Sequence, residues 1–337
     1  YIEEEVEFEN SEAGITIAGT LTIPEGDGPF RAAVLISGSG PQDRDESLLG
    51  HKPFLVLADH LTRNGIAVLR YDDRGVGGSQ GDHGAATTAD FATDARAAFE
   101  YLASRDETAA ELTGLIGHSE GGIIASMTAA DYKDTGFIVL LAGPGVSGTE
   151  VLLKQNLVLL ENQGAPEELL RKRKEQLLQE YKFIHQERGD EETRESIISV
   201  SASFLERYTP EEKERFGFSE DAVIQRADIL VTPWFRFFLQ YDPASALRRV
   251  ECPVLAMIGS KDVQVDPGIN LPAIENALKE GGNIHYDIRE MPGLNHLFQT
   301  AGTGSPSEYA GIEETMAPAA LEAVSGWIQS IETGGKR

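Results

Sequence analysis

The feature that most limits what this chain can fold into is an alternation between Arg31 and Gly143. Four apolar runs of strand length stand at residues 31–37, 66–72, 112–119 and 136–143. Between them lie three segments with helical spacing, at 52–65, 87–105 and 120–131. The strand runs are apolar on both faces rather than at every second position only. Both faces of the sheet are therefore expected to be covered, which is the pattern of a parallel sheet between helices.

The flanking sequence extends this reading. Residues 5–26 hold two alternating segments around Ser11–Gly14, an antiparallel hairpin closed by Pro24 and Gly26. After Gly148 the character changes. From Val151 to about Gln240 the sequence is charged and helix-forming, with no strand-like run. Strand and helix patterns resume at 252–260, 274–282, 284–293 and 317–332. The expected organisation is an α/β core in two parts, 1–147 and 233–337, interrupted by a helical insertion at 148–232. An insertion that leaves the sheet at its carboxyl end is expected to act as a cap.

Composition excludes several partners. Asp and Glu number 55 against 29 Lys and Arg, for a net charge of -26. Nucleic acid and anionic membranes need basic patches, so neither is expected as a partner. The acidity reads as a solubility surface or as adaptation to high salt. No stretch approaches the roughly 18 apolar residues of a membrane span. The single cysteine, Cys252, rules out an internal disulfide and reads as a packed thiol. Tyr1 rather than methionine stands first, as expected of a processed or trimmed chain. The compartment, cytoplasm or outside after export, and any homo-oligomeric state stay open.

Chemistry concentrates in Gly117-His118-Ser119-Glu120-Gly121-Gly122. Gly-x-Ser-x-Gly is weak alone, since a glycine-rich turn with a capping serine gives the same letters. Here it falls after the third apolar run and before a small-residue helix, where a nucleophile elbow belongs. The glycines allow a turn too sharp for flanking side chains. The helix N-terminus beyond it favours developing negative charge.

A serine hydroxyl needs a base, and the base needs a carboxylate. Among seven histidines, His296 lies in a loop just past the last strand pattern, at the expected carboxyl edge. His60, His285 and His185 fall in a helix, a strand and the insertion; His118 is expected to point away from the serine. Asp262 and Asp266 follow the strand at 252–260, and Asp262, the nearer to the sheet edge, is favoured. Ser119, Asp262 and His296 then stand in the order Ser, Asp, His. Residues 71–79 lack the lysine of a phosphate loop. No grouping has metal-ligand spacing, so neither metal nor cofactor is expected.

The motifs LISGSGPQDRD, YDDRGVGGS, GHSEGG, GSKDVQVD and GLNH resemble those of the α/β-hydrolase superfamily, and within it bacterial serine esterases and serine aminopeptidase-like hydrolases. The resemblance runs from about Arg31 to Glu332. It implies an oxyanion hole made by the backbone N–H groups of Ser39 and Glu120. Many relatives carry His-Gly where this chain has Ser37-Gly38, and an uncharged residue where it has Glu120. The expected activity is hydrolysis of small-molecule carboxylic esters of short to medium acyl chain. Trp234, Phe235 and Phe238 of the aromatic segment 232–241 are candidates for the acyl pocket. A serine peptidase, an acyltransferase or thioesterase, and a non-catalytic binding module are the alternatives.

Overall fold

A computed structural model of the chain describes residues 1–186 and 188–332. The chain divides into two compact units, Tyr1–Val146 with Asp242–Arg337 and Ser147–Tyr241.

The first unit is built on one sheet of eight strands: β1 (Ile2–Asn10), β2 (Ile15–Ile23), β3 (Phe30–Ile36), β4 (Ile66–Tyr71), β5 (Thr108–His118), β6 (Ile138–Leu141), β7 (Val254–Gly259) and β8 (Tyr286–Met291). Their spatial order is β1-β2-β4-β3-β5-β6-β7-β8. The β1–β2 and β2–β4 pairs are antiparallel and all later pairs are parallel. The carboxyl ends of β3 to β8 therefore share one edge.

The uninterrupted apolar runs have the expected cause. Ala33, Leu35, Val68, Ile116, Val139, Leu255 and Met257 point to one face. There they pack against Phe54, Leu57 and Leu61 of α1 (Pro53–Arg63) and Leu321, Val324 and Ile328 of α12, the last helix (Pro318–Ser330). Their neighbours Ala32, Val34, Ala67, Leu69, Leu115, Ile138, Leu140, Val254 and Ala256 point the other way and are equally buried. The helices α2 (Thr88–Ala103), α3 (Glu120–Asp131) and α11 (Pro267–Glu280) also pack on the sheet. Each fully buried leucine or isoleucine contributes about 1.5–3 kcal/mol, so this double burial is what fixes the parallel arrangement.

Among the described residues the second unit holds six helices: α4 (Gly148–Asn162), α5 (Glu167–Ile184), α6 (Asp190–Leu205), α7 (Pro210–Phe216), α8 (Glu220–Leu230) and α9 (Pro233–Gln240). Leu177, Tyr181, Ile184, Ile197, Ala227, Leu230 and Leu239 form its main core. Glu180 is buried there, accepting from Gln176 (2.7 Å), Ser201 (2.8 Å) and the Arg226 guanidinium (2.6 Å). The unit runs to Tyr241, beyond the sequence estimate of residue 232. The apolar stripe of α9 gives the reason: Leu239 is part of the helical core, so the helix stays with it. The short α10 (Ala244–Leu247) belongs to the first unit. Among the described residues, no helix is long and apolar enough to cross a membrane.

Candidate active site

Ser119 stands between β5 and α3 with φ +53° and ψ −120°, a backbone conformation few non-glycine residues adopt. The turn is enforced by close packing. A Cβ on Gly117 would lie 1.9 Å from the Gly121 carbonyl oxygen, and one on Gly121 would lie 2.2 Å from that of Ile36. Ser119 N–H is anchored on the Leu141 carbonyl at 2.8 Å. The serine is thus held at the carboxyl edge of the sheet, at the start of α3.

Asp262 and His296 come from two neighbouring loops at that edge. His296 Nδ1 lies 2.7 Å from Asp262 Oδ2, and both residues are buried. Asp262 Oδ1 accepts the N–H groups of Gln264 and Val265, each at 2.8 Å. The carboxylate is therefore held on both oxygens, with one aimed at the imidazole. Asp266 does something else: its side chain caps α11 by accepting from Ile269 N–H at 3.2 Å. Among the described residues, no hydrogen bond joins the Ser119 hydroxyl to His296. Resting sites often have this last contact open.

His118 links the two sides. Its ring packs on that of His296 with centroids 4.8 Å apart, and its Nε2 lies 3.0 Å from the His296 carbonyl oxygen. As expected, the ring does not serve the serine; it braces the loop of the histidine instead. Its Nδ1 meets Glu46 Oε1 at 2.8 Å. Glu46 Oε1 also accepts Gly38 N–H, at 2.7 Å. A Cβ on Gly38 would lie 3.2 Å from the Ser119 Cβ and 3.2 Å from Glu46 Oε1, a tight approach that glycine relieves. Ser39 follows it, exposed, in the loop after β3.

That loop is tied down by charge. Arg44 makes paired bonds to Asp72 at 3.1 and 2.8 Å, and Arg70 is ion-paired with Asp45. Asp73 Oδ1 accepts from Ser37 Oγ at 2.7 Å, and Oδ2 from Gln42 N–H at 2.9 Å. Burial pushes the Asp73 carboxyl up to about 7; the charges of Glu46 and Glu120 add to this, while its two hydrogen bonds oppose it. Glu120 is also buried and accepts from Thr88 Oγ1 at 2.7 Å. Ser37, Asp73, His83, Phe91, Glu120 and Ile124 line one small cavity in this unit.

The matches to known proteins agree with this architecture. A family model described as serine aminopeptidase, S33, matches residues 52–215. Esterase EstD of Thermotoga maritima is 27% identical over 295 residues, covering 87% of this chain. The chain spans 61% of the length of that relative. The structure of DcsB in complex with its substrate analogue superposes with a TM-score of 0.58 at 18% identity, over 99% of this chain and 100% of that one. Dienelactone hydrolase from Anabaena variabilis gives 0.54 at 16% identity, over 98% and 99%.

The chain has the α/β-hydrolase fold. Ser119, Asp262 and His296 stood out in the sequence because each follows a strand pattern, and the structure brings Asp262 and His296 into contact. Sequence reasoning missed Glu46 and Asp73, and gave His118 no partner. Glu46 lies in an acid-rich loop and Asp73 in a glycine-rich one, where nothing local distinguishes a buried carboxylate from a solvated one. The three aromatic candidates lie in the helical unit. Trp234 stacks on the buried Phe238 at 5.1 Å, and Phe235 meets the edge of Trp234 at 4.8 Å while packing against the helical core. Among the described residues, no group of three potential metal ligands is found.

Proposed function

We propose that this α/β-hydrolase cleaves carboxylic esters of short to medium acyl chain through Ser119, His296 and Asp262. The observation that carries the reading is the buried 2.7 Å contact between Asp262 and His296 at the edge where Ser119 is held in its strained turn. With Asp262 accepting from Nδ1–H, the His296 imidazole keeps Nε2 as the acceptor. Ser119 attacks the ester carbonyl as His296 takes its proton. The imidazolium, stabilised by Asp262, then protonates the leaving alcohol, and water repeats the sequence on the acyl-enzyme.

The oxyanion is assigned to the N–H groups of Ser39 and Glu120. Gly38 N–H is engaged by Glu46, so Ser39 is the next donor in that loop, and Glu120 opens α3 at its positive end. Each such donor is worth about 3–4 kcal/mol in the transition state.

A second reading is a serine aminopeptidase. It is favoured by the family model over residues 52–215 and by the buried acids Asp73 and Glu120 flanking the nucleophile loop, which would suit a substrate amine. Transfer of the acyl group to another acceptor, as in an acyltransferase or thioesterase, uses the same three residues. p-Nitrophenyl esters of graded acyl length, assayed beside aminoacyl anilides, decide. Ester cleavage with covalent labelling of Ser119 by a fluorophosphonate is the expected result. Cleavage of anilides without esters would replace the reading by the peptidase, and inertness to both together with no labelling would replace it by a binding module.

A further inference from the structure

Two buried ionisable residues next to the nucleophile take no part in the steps above. His118 and Glu46 are 6% and 4% exposed, and together they touch three separate segments. Glu46 Oε1 holds Gly38 N–H in the loop after β3, His118 is the residue before Ser119, and His118 Nε2 faces the carbonyl of His296. Glu46 itself adopts φ +52°, an unfavourable backbone for its type, and its N–H closes a turn on the Asp43 carbonyl at 2.9 Å. A strained residue with a buried side chain is held there by its contacts.

Proton counting defines the chemical state. A carbonyl oxygen only accepts, so His118 Nε2 must carry hydrogen. One further proton lies on the line between His118 Nδ1 and Glu46 Oε1. Gly38 N–H donates to that same oxygen and so favours the carboxylate. Asp262, beyond the His296 ring, favours a cation on His118; near Glu46, the Asp73 carboxyl is pushed up by burial and by the charges of Glu46 and Glu120. Glu46 Oε2 is buried without a hydrogen-bond partner, so the charge of the carboxylate is met wholly through Oε1. Burial alone would lower the His118 pKa, but Glu46, the His296 carbonyl and Asp262 outweigh it and hold it above the ordinary value.

We propose that Glu46 and His118 form a buried carboxylate–imidazolium pair that fixes the Gly38 loop, the nucleophile turn and the His296 loop in one arrangement, a positioning pair for Ser119 and His296. The role rests on the catalytic reading above. It explains why a histidine precedes the serine: a ring with two N–H groups can bridge a carboxylate and a backbone carbonyl at once. The pair holds while His118 keeps both protons and is lost as pH rises through its elevated pKa.

The test combines a spectrum with kinetics. In the intact chain, nitrogen-15 NMR of the histidine rings is expected to show His118 carrying both ring protons at a pH where a free histidine, pKa about 6.5, is mostly neutral. Glu46→Gln, nearly the same shape, is expected to lose that signature, move the alkaline limb of the kcat profile to lower pH, and lower kcat by about 10²-fold with little change in KM. Its labelling by fluorophosphonate should slow in parallel. His118→Phe, which keeps the ring volume, should match it in kcat. A singly protonated His118 in the wild-type chain, or an E46Q variant with unchanged kcat and alkaline limb, would overturn the proposal. The arms separate the two readings. A wild-type chain that cleaves no ester yet shows the doubly protonated ring, with slowed labelling in E46Q, loses the ester reading and keeps the pair. One that cleaves esters with a singly protonated ring loses the pair and keeps the ester reading.

Discussion

Replacing Asp262 by Asn isolates the contact on which the catalytic reading stands. The asparagine carbonyl can still accept the N–H groups of Gln264 and Val265, as Oδ1 does at 2.8 Å. Its NH2 then takes the place of Oδ2, 2.7 Å from His296 Nδ1. Two donors cannot face each other, so the imidazole must carry its proton on Nε2. That is the nitrogen required to accept from Ser119. The ring stays in place in the wrong tautomer, which in comparable triads lowers kcat about 10⁴-fold. This corresponds to about 5 kcal/mol of lost transition-state stabilisation. Because the backbone bonds and the contact to the ring survive, stability should fall by no more than about 1–2 kcal/mol. The assay is kcat on a p-nitrophenyl ester beside the thermal midpoint, with Ser119→Ala as background and Asp266→Asn as the control. D266N weakens the helix cap of α11, costing about 1 kcal/mol, and should keep its kcat. If D262N stays within tenfold of wild type while S119A is at background, or if D266N is the variant that fails, the assignment of the carboxylate is wrong.

Two further outcomes follow from burial and charge. Asp73, held up to about 7, binds a proton in the folded state that the unfolded chain releases near 3.8, so stability should decline as pH rises from about 4 to about 7. The decline is up to about 4 kcal/mol; denaturant unfolding of wild type and Asp73→Asn across this range should show it only in the wild type, and parallel curves would refute the buried acid. With a net charge of -26, raising salt from about 0.05 to 1 M should raise the melting temperature by screening self-repulsion, and an unchanged midpoint would argue against charge-limited stability.

The boundaries of elements show where local information ran out. β5 begins at Thr108, four residues before the apolar run that marked it, because its early residues pair at the Phe30 end of β3 across a register shift. Residues 108–111, Thr-Ala-Ala-Glu, lack the β-branched and aromatic side chains that announce a strand. The second unit likewise reaches Tyr241 because Leu239 packs in the helical core, a contact between residues more than fifty positions apart.

The sequence by itself determined the parallel sheet and the placement of Ser119, since two-sided burial and a glycine-enforced turn are short-range demands written in consecutive residues. The tertiary structure alone decided that Glu46 turns inward to His118 and that Asp73 is buried beside the nucleophile loop. These depend on where separate loops meet at the edge of the sheet. A carboxylate carries no mark of its burial until chain from elsewhere closes over it.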